Sequence, residues 1–127
     1  MLGMKTPSFT DKPLHWVGSA KKDLLNFPGD VVGDVGFALG VVQQGGMPPS
    51  AKHWKGEGAG VLEIVEDHRG DTFRVVYTVR FERAIYVLHC FQKKSPSGIK
   101  TASTDIELIH ERLKLAKSDY EVRYEKK

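Results

Sequence analysis

The chain is poor in cysteine and in long apolar runs. Cys90 is the one cysteine among 127 residues, so no disulfide and no paired-cysteine metal site can form within the chain. It sits inside the run IYVLHCF, where a small buried hydrophobe in a reducing compartment is expected. No apolar stretch approaches the ~20 residues that cross a bilayer, and the opening MLGMKTPSFTDKP lacks the apolar segment of a secretion signal. These absences point to the cytoplasm and away from membranes. His53, His68 and His110 have no metal-ligand spacing, so neither a metal nor a cofactor is expected.

The composition that remains is that of a soluble globular domain, 40% hydrophobic and 28% charged. The length fits one domain over residues 1–127, enough to bury about two thirds of the unfolded chain's surface. A net charge of +3 and a pI near 9.0 permit nucleic-acid binding without requiring it. Residues 1–12 read as a loose N-terminal arm, 14–118 as the folded part and 119–127 as a charged tail.

Leu14 to Val17 reads as a first strand. Ser19 can cap a helix over residues 20–26 with Leu24 and Leu25 inward. Val31, Val32, Val35, Ala38, Leu39 and Val42 recur at helical spacing, which predicts a second helix over 30–44. Gly33, Gly36 and Gly40 lie in its interior, each costing about 1 kcal/mol against alanine, and close packing on a neighbour is the expected compensation. Residues 47–60 read as a long loop. Runs at 61–67, 72–80 and 84–92 form a meander. Thr104 to Glu107 makes a capping box for a helix to about Ser118, with Ile106, Ile109, Leu113 and Ala116 on one face. The order β-α-α-β-β-β-α predicts an α+β fold: a small twisted antiparallel sheet against two N-terminal helices, with a C-terminal helix.

Strand periodicity puts Phe73, Val75, Tyr77 and Val79 on one face, and Arg74, Val76, Thr78 and Arg80 on the more open one. In the next strand Ile85, Val87, His89, Phe91 and Lys93 alternate with Tyr86, Leu88, Cys90, Gln92 and Lys94. Which set joins Arg74 depends on register. A cation on a sheet strand costs desolvation, and the commonest reason to place one there is an anion, phosphate above all. Each candidate also has a plain alternative. Arg74 can be an edge-pairing arginine, and Lys93 and Lys94 gatekeepers at a strand end. Lys52 and Lys55 can be solvated loop charges. His89 is either a packed core histidine or a proton carrier. Trp54 either stacks on a base or plugs the core. Glu63 and Glu66 fall on opposite faces of a strand, which argues against a shared acid/base pair. Tyr120 and Tyr124 read as a packing clasp.

FRVVY (Phe73 to Tyr77), VLHCFQKK (Val87 to Lys94), GIKT before a capped helix, and KGEGAGVLE (Lys55 to Glu63) together resemble the phage-derived branch of the RelE/ParE toxin superfamily, which includes HigB-type toxins. The resemblance spans about residues 14–117. It implies a RelE-like fold and a toxin of a type II toxin–antitoxin system, a metal-independent, ribosome-dependent endoribonuclease that cuts mRNA and is neutralised by a helix-turn-helix antitoxin. On the matching positions it implies Arg74 at the scissile phosphate, Lys93 and Lys94 as the basic pair beyond it, and Lys55 in the basic loop. Lys52 and Trp54 flank that loop as RNA-binding candidates. Two departures stand out: Val65 where many relatives carry arginine, and Ala102 after Thr101 where Thr-Pro is common. Such cleavage needs only the RNA's own 2′-hydroxyl as nucleophile and groups that move protons and stabilise charge on phosphorus. A ParE-like gyrase inhibitor and a degenerate binding module are the alternatives. Alanine at Arg74 is expected to leave the fold intact.

Overall fold

The computed structural model describes residues 11–93 and 102–125. The element order is β1 (Leu14–Trp16), α1 (Ala20–Leu25), α2 (Gly29–Gln43), β2 (Ala51–His53), β3 (Val61–His68), β4 (Asp71–Thr78), β5 (Ile85–Lys93) and α3 (Ser103–Tyr124). The strands form one five-stranded sheet ordered β1-β5-β4-β3-β2. This is the expected α+β architecture with one strand more. β1 joins β5 in parallel, so the sheet is mixed and not purely antiparallel.

The extra strand, β2, falls in the stretch expected to be loop. Two of its three residues, Lys52 and His53, are exposed. It carries no apolar alternation and forms because β3 offers it a ladder: Ala51, Lys52 and His53 pair with Ile64, Glu63 and Leu62.

Helices cover both sides of the sheet. On one side α1 and α2 set Leu24, Val31, Val35, Leu39 and Val42 against Leu62, Ile64, Phe73, Val75, Tyr77, Val87 and Cys90. Each fully buried aliphatic side chain here contributes about 1.5–3 kcal/mol through apolar area removed from water. Leu25, expected inward, is 59% exposed. A six-residue helix buries only a narrow stripe, and Ala20 and Leu24 fill it. Ser19 occupies the N-cap but makes no capping bond; its hydroxyl donates to Asp23 Oδ2 at 2.7 Å. Among the described residues the glycines of α2 do not mediate close packing. Gly33 and Gly36 are exposed, and a Cβ at Gly33, Gly36 or Gly40 would meet nothing within 4 Å.

On the other side α3 lays Ile109, Leu113, Ala116 and Tyr120 over Val61, Val76, Tyr86 and Leu88, with Trp54 and Phe91 in the same cluster. Ile106, expected on this face, is 44% exposed. The helix continues through residues 119–124, the expected charged tail, because tyrosines extend its apolar stripe. Tyr120 stacks on Phe81 with ring centroids 4.8 Å apart, and the Tyr124 hydroxyl lies 2.8 Å from His15 Nε2. The Tyr120–Tyr124 clasp is therefore present, and it ties the end of the chain to β1 and to the β4–β5 turn.

The candidate site on the α3 side of the sheet

One irregularity decides which side chains meet. Tyr77 pairs with Val87 but Val76 pairs with His89, so Leu88 is an extra residue in β5, a β-bulge. Strict alternation would keep His89, Phe91 and Lys93 with Ile85 and Val87. The bulge shifts them by one step to the α3 side, in register with Val76, Arg74 and Thr72. A bulge leaves ladder groups unpaired, and here Arg112 meets one of them: its Nη1 donates to the Leu88 carbonyl at 2.9 Å, and its Nη2 donates to Ser19 Oγ. Gly18, at φ +56°, lets this buried arginine pass, since a Cβ there would lie 3.0 Å from Nη2.

Directly paired residues share a sheet face, so three cross-strand rows build the site. The first runs His89, Val76, Glu63, Lys52; the second Phe91, Arg74, Val65; the third Lys93, Thr72, Asp67. Arg74 reaches diagonally to Glu63, its Nη1 donating to Oε1 at 2.5 Å. This side of the sheet is less open than alternation suggested: the Arg74 and Glu63 side chains are 13% and 8% exposed. Removing one partner of a shielded ion pair leaves a lone desolvated charge, an argument against the expectation that alanine at Arg74 spares the fold. His89 is buried, stacked on Phe91 at 4.7 Å, with Nε2 2.7 Å from Asp105 Oδ1. Asp105 lies within the expected capping box, yet Ala102 and not Thr104 is the N-cap of α3, and it makes no side-chain cap bond. The Asp105 carboxylate turns to the histidine instead.

Desolvation, and then the Arg74 guanidinium and Lys52, hold the Lys93 ammonium below the ordinary lysine range, with Glu63 acting the other way. Arg74, Lys93, Lys52 and Glu63 thus form one electrostatic cluster. Lys94 lies outside the described residues. Lys52 and Lys55 are exposed, and the turn after Lys55 is fixed from two sides. Arg80 donates to the Glu57 and Ala59 carbonyls, and His110 Nδ1 lies 3.0 Å from Glu57 Oε1. Trp54 is 8% exposed and packs in the α3-side core. It is the plug and not a stacking platform, because the strand formed at β2 turns it inward. Glu66 lies on the opposite side of the sheet from Glu63, paired with Phe73. Burial, then Asp34 and Asp67, raise its carboxyl above the usual range. Burial pushes the Cys90 thiol up to about 12, which fits a packed, unreactive cysteine. Among the described residues no group of three histidine, cysteine or acidic side chains could hold a metal ion.

Residues 22–114 match the family model described as phage derived protein Gp49-like. The chain belongs to this family. The Gp49-like proteins are RelE/HigB-type toxins. Among solved structures, a chain of the toxin–antitoxin complex RelBE2 from Mycobacterium tuberculosis is similar at 20% identity and TM-score 0.46, over 71% of this chain and 100% of that one. No curated protein matches. In this Gp49-like chain the sequence pointed to Arg74 and Lys93, and it did not point to Asp105 or Arg112. Asp105 gave only a capping signal. Arg112 stood next to Leu113 on the apolar stripe of α3, and a charged residue in such a stripe was the available sign.

Proposed function

We propose that this Gp49-like protein is the toxin of a toxin–antitoxin pair and a ribosome-dependent endoribonuclease acting on mRNA. The observation that carries the reading is the gathering of Arg74, Lys93 and Lys52 on one sheet face, beside a histidine held by a carboxylate. In this reaction the 2′-oxygen forms a bond to phosphorus, the bond from phosphorus to the 5′-oxygen breaks, and a 2′,3′-cyclic phosphate remains. No metal is needed for those steps. Arg74 stabilises charge on the phosphoryl oxygens, because guanidinium stays ionised and presents a planar fork of donors. Lys93, its ammonium held below the ordinary lysine range by desolvation and the Arg74 guanidinium, is the candidate donor of a proton to the leaving 5′-oxygen. His89 is the candidate acceptor of the 2′-hydroxyl proton. Lys52, on the edge strand β2, and Lys55 extend the basic surface along the RNA, and the resemblance adds Lys94, which lies outside the described residues. The implied partner is a helix-turn-helix antitoxin, and the place of action is the cytoplasm. No helix among the described residues is long and apolar enough to cross a membrane.

A second reading rests on Val65. It pairs directly with Arg74, at the position where the resemblance places an arginine in many relatives. A site short of one cation suits a binding module that docks a partner without chemistry. A gyrase inhibitor on the same scaffold would not depend on Arg74 at all.

The test is induced expression without antitoxin, with 5′-end mapping of cellular mRNA. Arg74→Lys is the control, since it keeps the charge beside Glu63 and removes the fork. Growth arrest with codon-phased cuts that the variant loses supports the ribonuclease. Arrest without cuts moves the target to gyrase, and no arrest points to the binding module.

A further inference from the structure

Among the described residues, two buried side-chain nitrogens have no hydrogen-bond partner: Arg74 Nε and His89 Nδ1. Buried polar groups in folded proteins are nearly always paired, so each orphan asks for a reason. These two lie close in register. Arg74 pairs with Phe91, Val76 pairs with His89, and the His89 ring stacks on Phe91. Each belongs to a side chain that a carboxylate already grips at a different nitrogen. Glu63 takes Arg74 Nη1, and Asp105 takes His89 Nε2.

We infer that Glu63 and Asp105 are positioning residues, a pair of carboxylate clamps that orient Arg74 and His89 toward one phosphodiester group. The inference rests on the ribonuclease reading and names the parts that aim its site. A guanidinium has two donor edges. Glu63 occupies Nη1, so the edge formed by Nε and Nη2 is the one left for two phosphoryl oxygens. A carboxylate accepts, so the proton of a neutral His89 sits on Nε2 and the lone pair on Nδ1. That lone pair is the one able to take the 2′-hydroxyl proton. Glu63 also stands directly across from Lys52. Its negative charge offsets part of the cluster's positive charge.

The experiment follows the Arg74 Nε–H and His89 ring-nitrogen resonances by NMR while inorganic phosphate is titrated into wild type, E63Q, E63A and D105N. Messenger cleavage is measured on the same proteins. In wild type, phosphate moves both signals, and His89 shows the tautomer protonated at Nε2. E63Q keeps an oxygen acceptor for Nη1 and loses a negative charge, so its phosphate affinity equals or exceeds that of wild type. E63A weakens phosphate binding about tenfold, and D105N mixes the His89 tautomers and lowers kcat about tenfold or more with little change in KM. The inference is overturned if phosphate moves neither signal in wild type, if E63Q binds phosphate more weakly, or if D105N leaves the tautomer and kcat unchanged. E63Q decides the matter for Glu63 should E63A not fold. An intact phosphate response with no messenger cleavage sinks the ribonuclease reading and leaves the clamps standing.

Discussion

The two sides of the sheet are built from the same strands and differ in what they bury. The side under α1 and α2 is apolar across the middle of the sheet, with Ile64, Val75 and Val87 fully enclosed, and carries Glu66 toward the end of β3. The side under α3 is divided. Toward the β4–β5 turn it is apolar, with Tyr86, Val61, Leu88 and Tyr120 in contact. Toward the start of α3 it holds Glu63, Arg74, His89 and Lys93. Apolar burial stabilises without direction, whereas buried charges barely offset their own desolvation. A fold that keeps such groups together on one half of one face has separated the region that holds it up from the region that can act.

The sharpest way to break this comparison is a cavity on the apolar side. Ile64→Ala is expected to lower unfolding free energy by about 2–5 kcal/mol, read by denaturant titration, while the folded fraction retains its activity. Next in size is Arg74→Lys. Cleavage of mRNA should fall about a hundredfold through loss of the fork, with stability changed by less than about 1 kcal/mol. A larger stability loss would make Arg74 a structural residue and erase the contrast.

Replacing both charges tests the same idea from the other direction. Glu63→Leu with Arg74→Met should leave the protein as stable as wild type, or more stable by about 1–4 kcal/mol, yet without toxicity. Thermal unfolding and a growth assay decide it. The smallest effect lies at His15, on the edge strand β1. Burial, then Arg123, hold its pKa below the ordinary 6.5, so the native state binds its proton less readily than the unfolded chain. Its contribution is therefore complete above about pH 6.5 and lost as pH falls through the lower native value. The stability gap between wild type and His15→Gln should narrow from about pH 7.5 to about pH 5.5, and a gap that widened would reverse the assignment.

Much of this was readable from residues alone. The alternation from Phe73 to Tyr77 placed Arg74 opposite the apolar face, because a period of two needs no knowledge of the partner strand. The valines of α2 announced their buried stripe for the same kind of reason. β2 was not readable, since three residues with two charged or polar side chains form a strand only when a neighbour supplies the ladder. The last turns of α3 were hidden by their charges, although Tyr120 and Tyr124 continue the spacing of Ile109, Leu113 and Ala116.

By itself the sequence determined the α+β order, the apolar side of the sheet, the Gp49-like pattern, and the presence of Arg74 on one strand and Lys93 at the end of the next. These are local facts, fixed by side-chain type and spacing along the chain. Only the tertiary structure decided that His89 and Lys93 share a face with Arg74, that Glu63 grips Arg74, and that Asp105 in the first turn of α3 meets His89. Those outcomes depend on one extra residue at Leu88 and on Arg112, 24 residues away in sequence, which meets the carbonyl that the bulge sets free. Register is a property of two strands at once, and no single stretch of chain carries it.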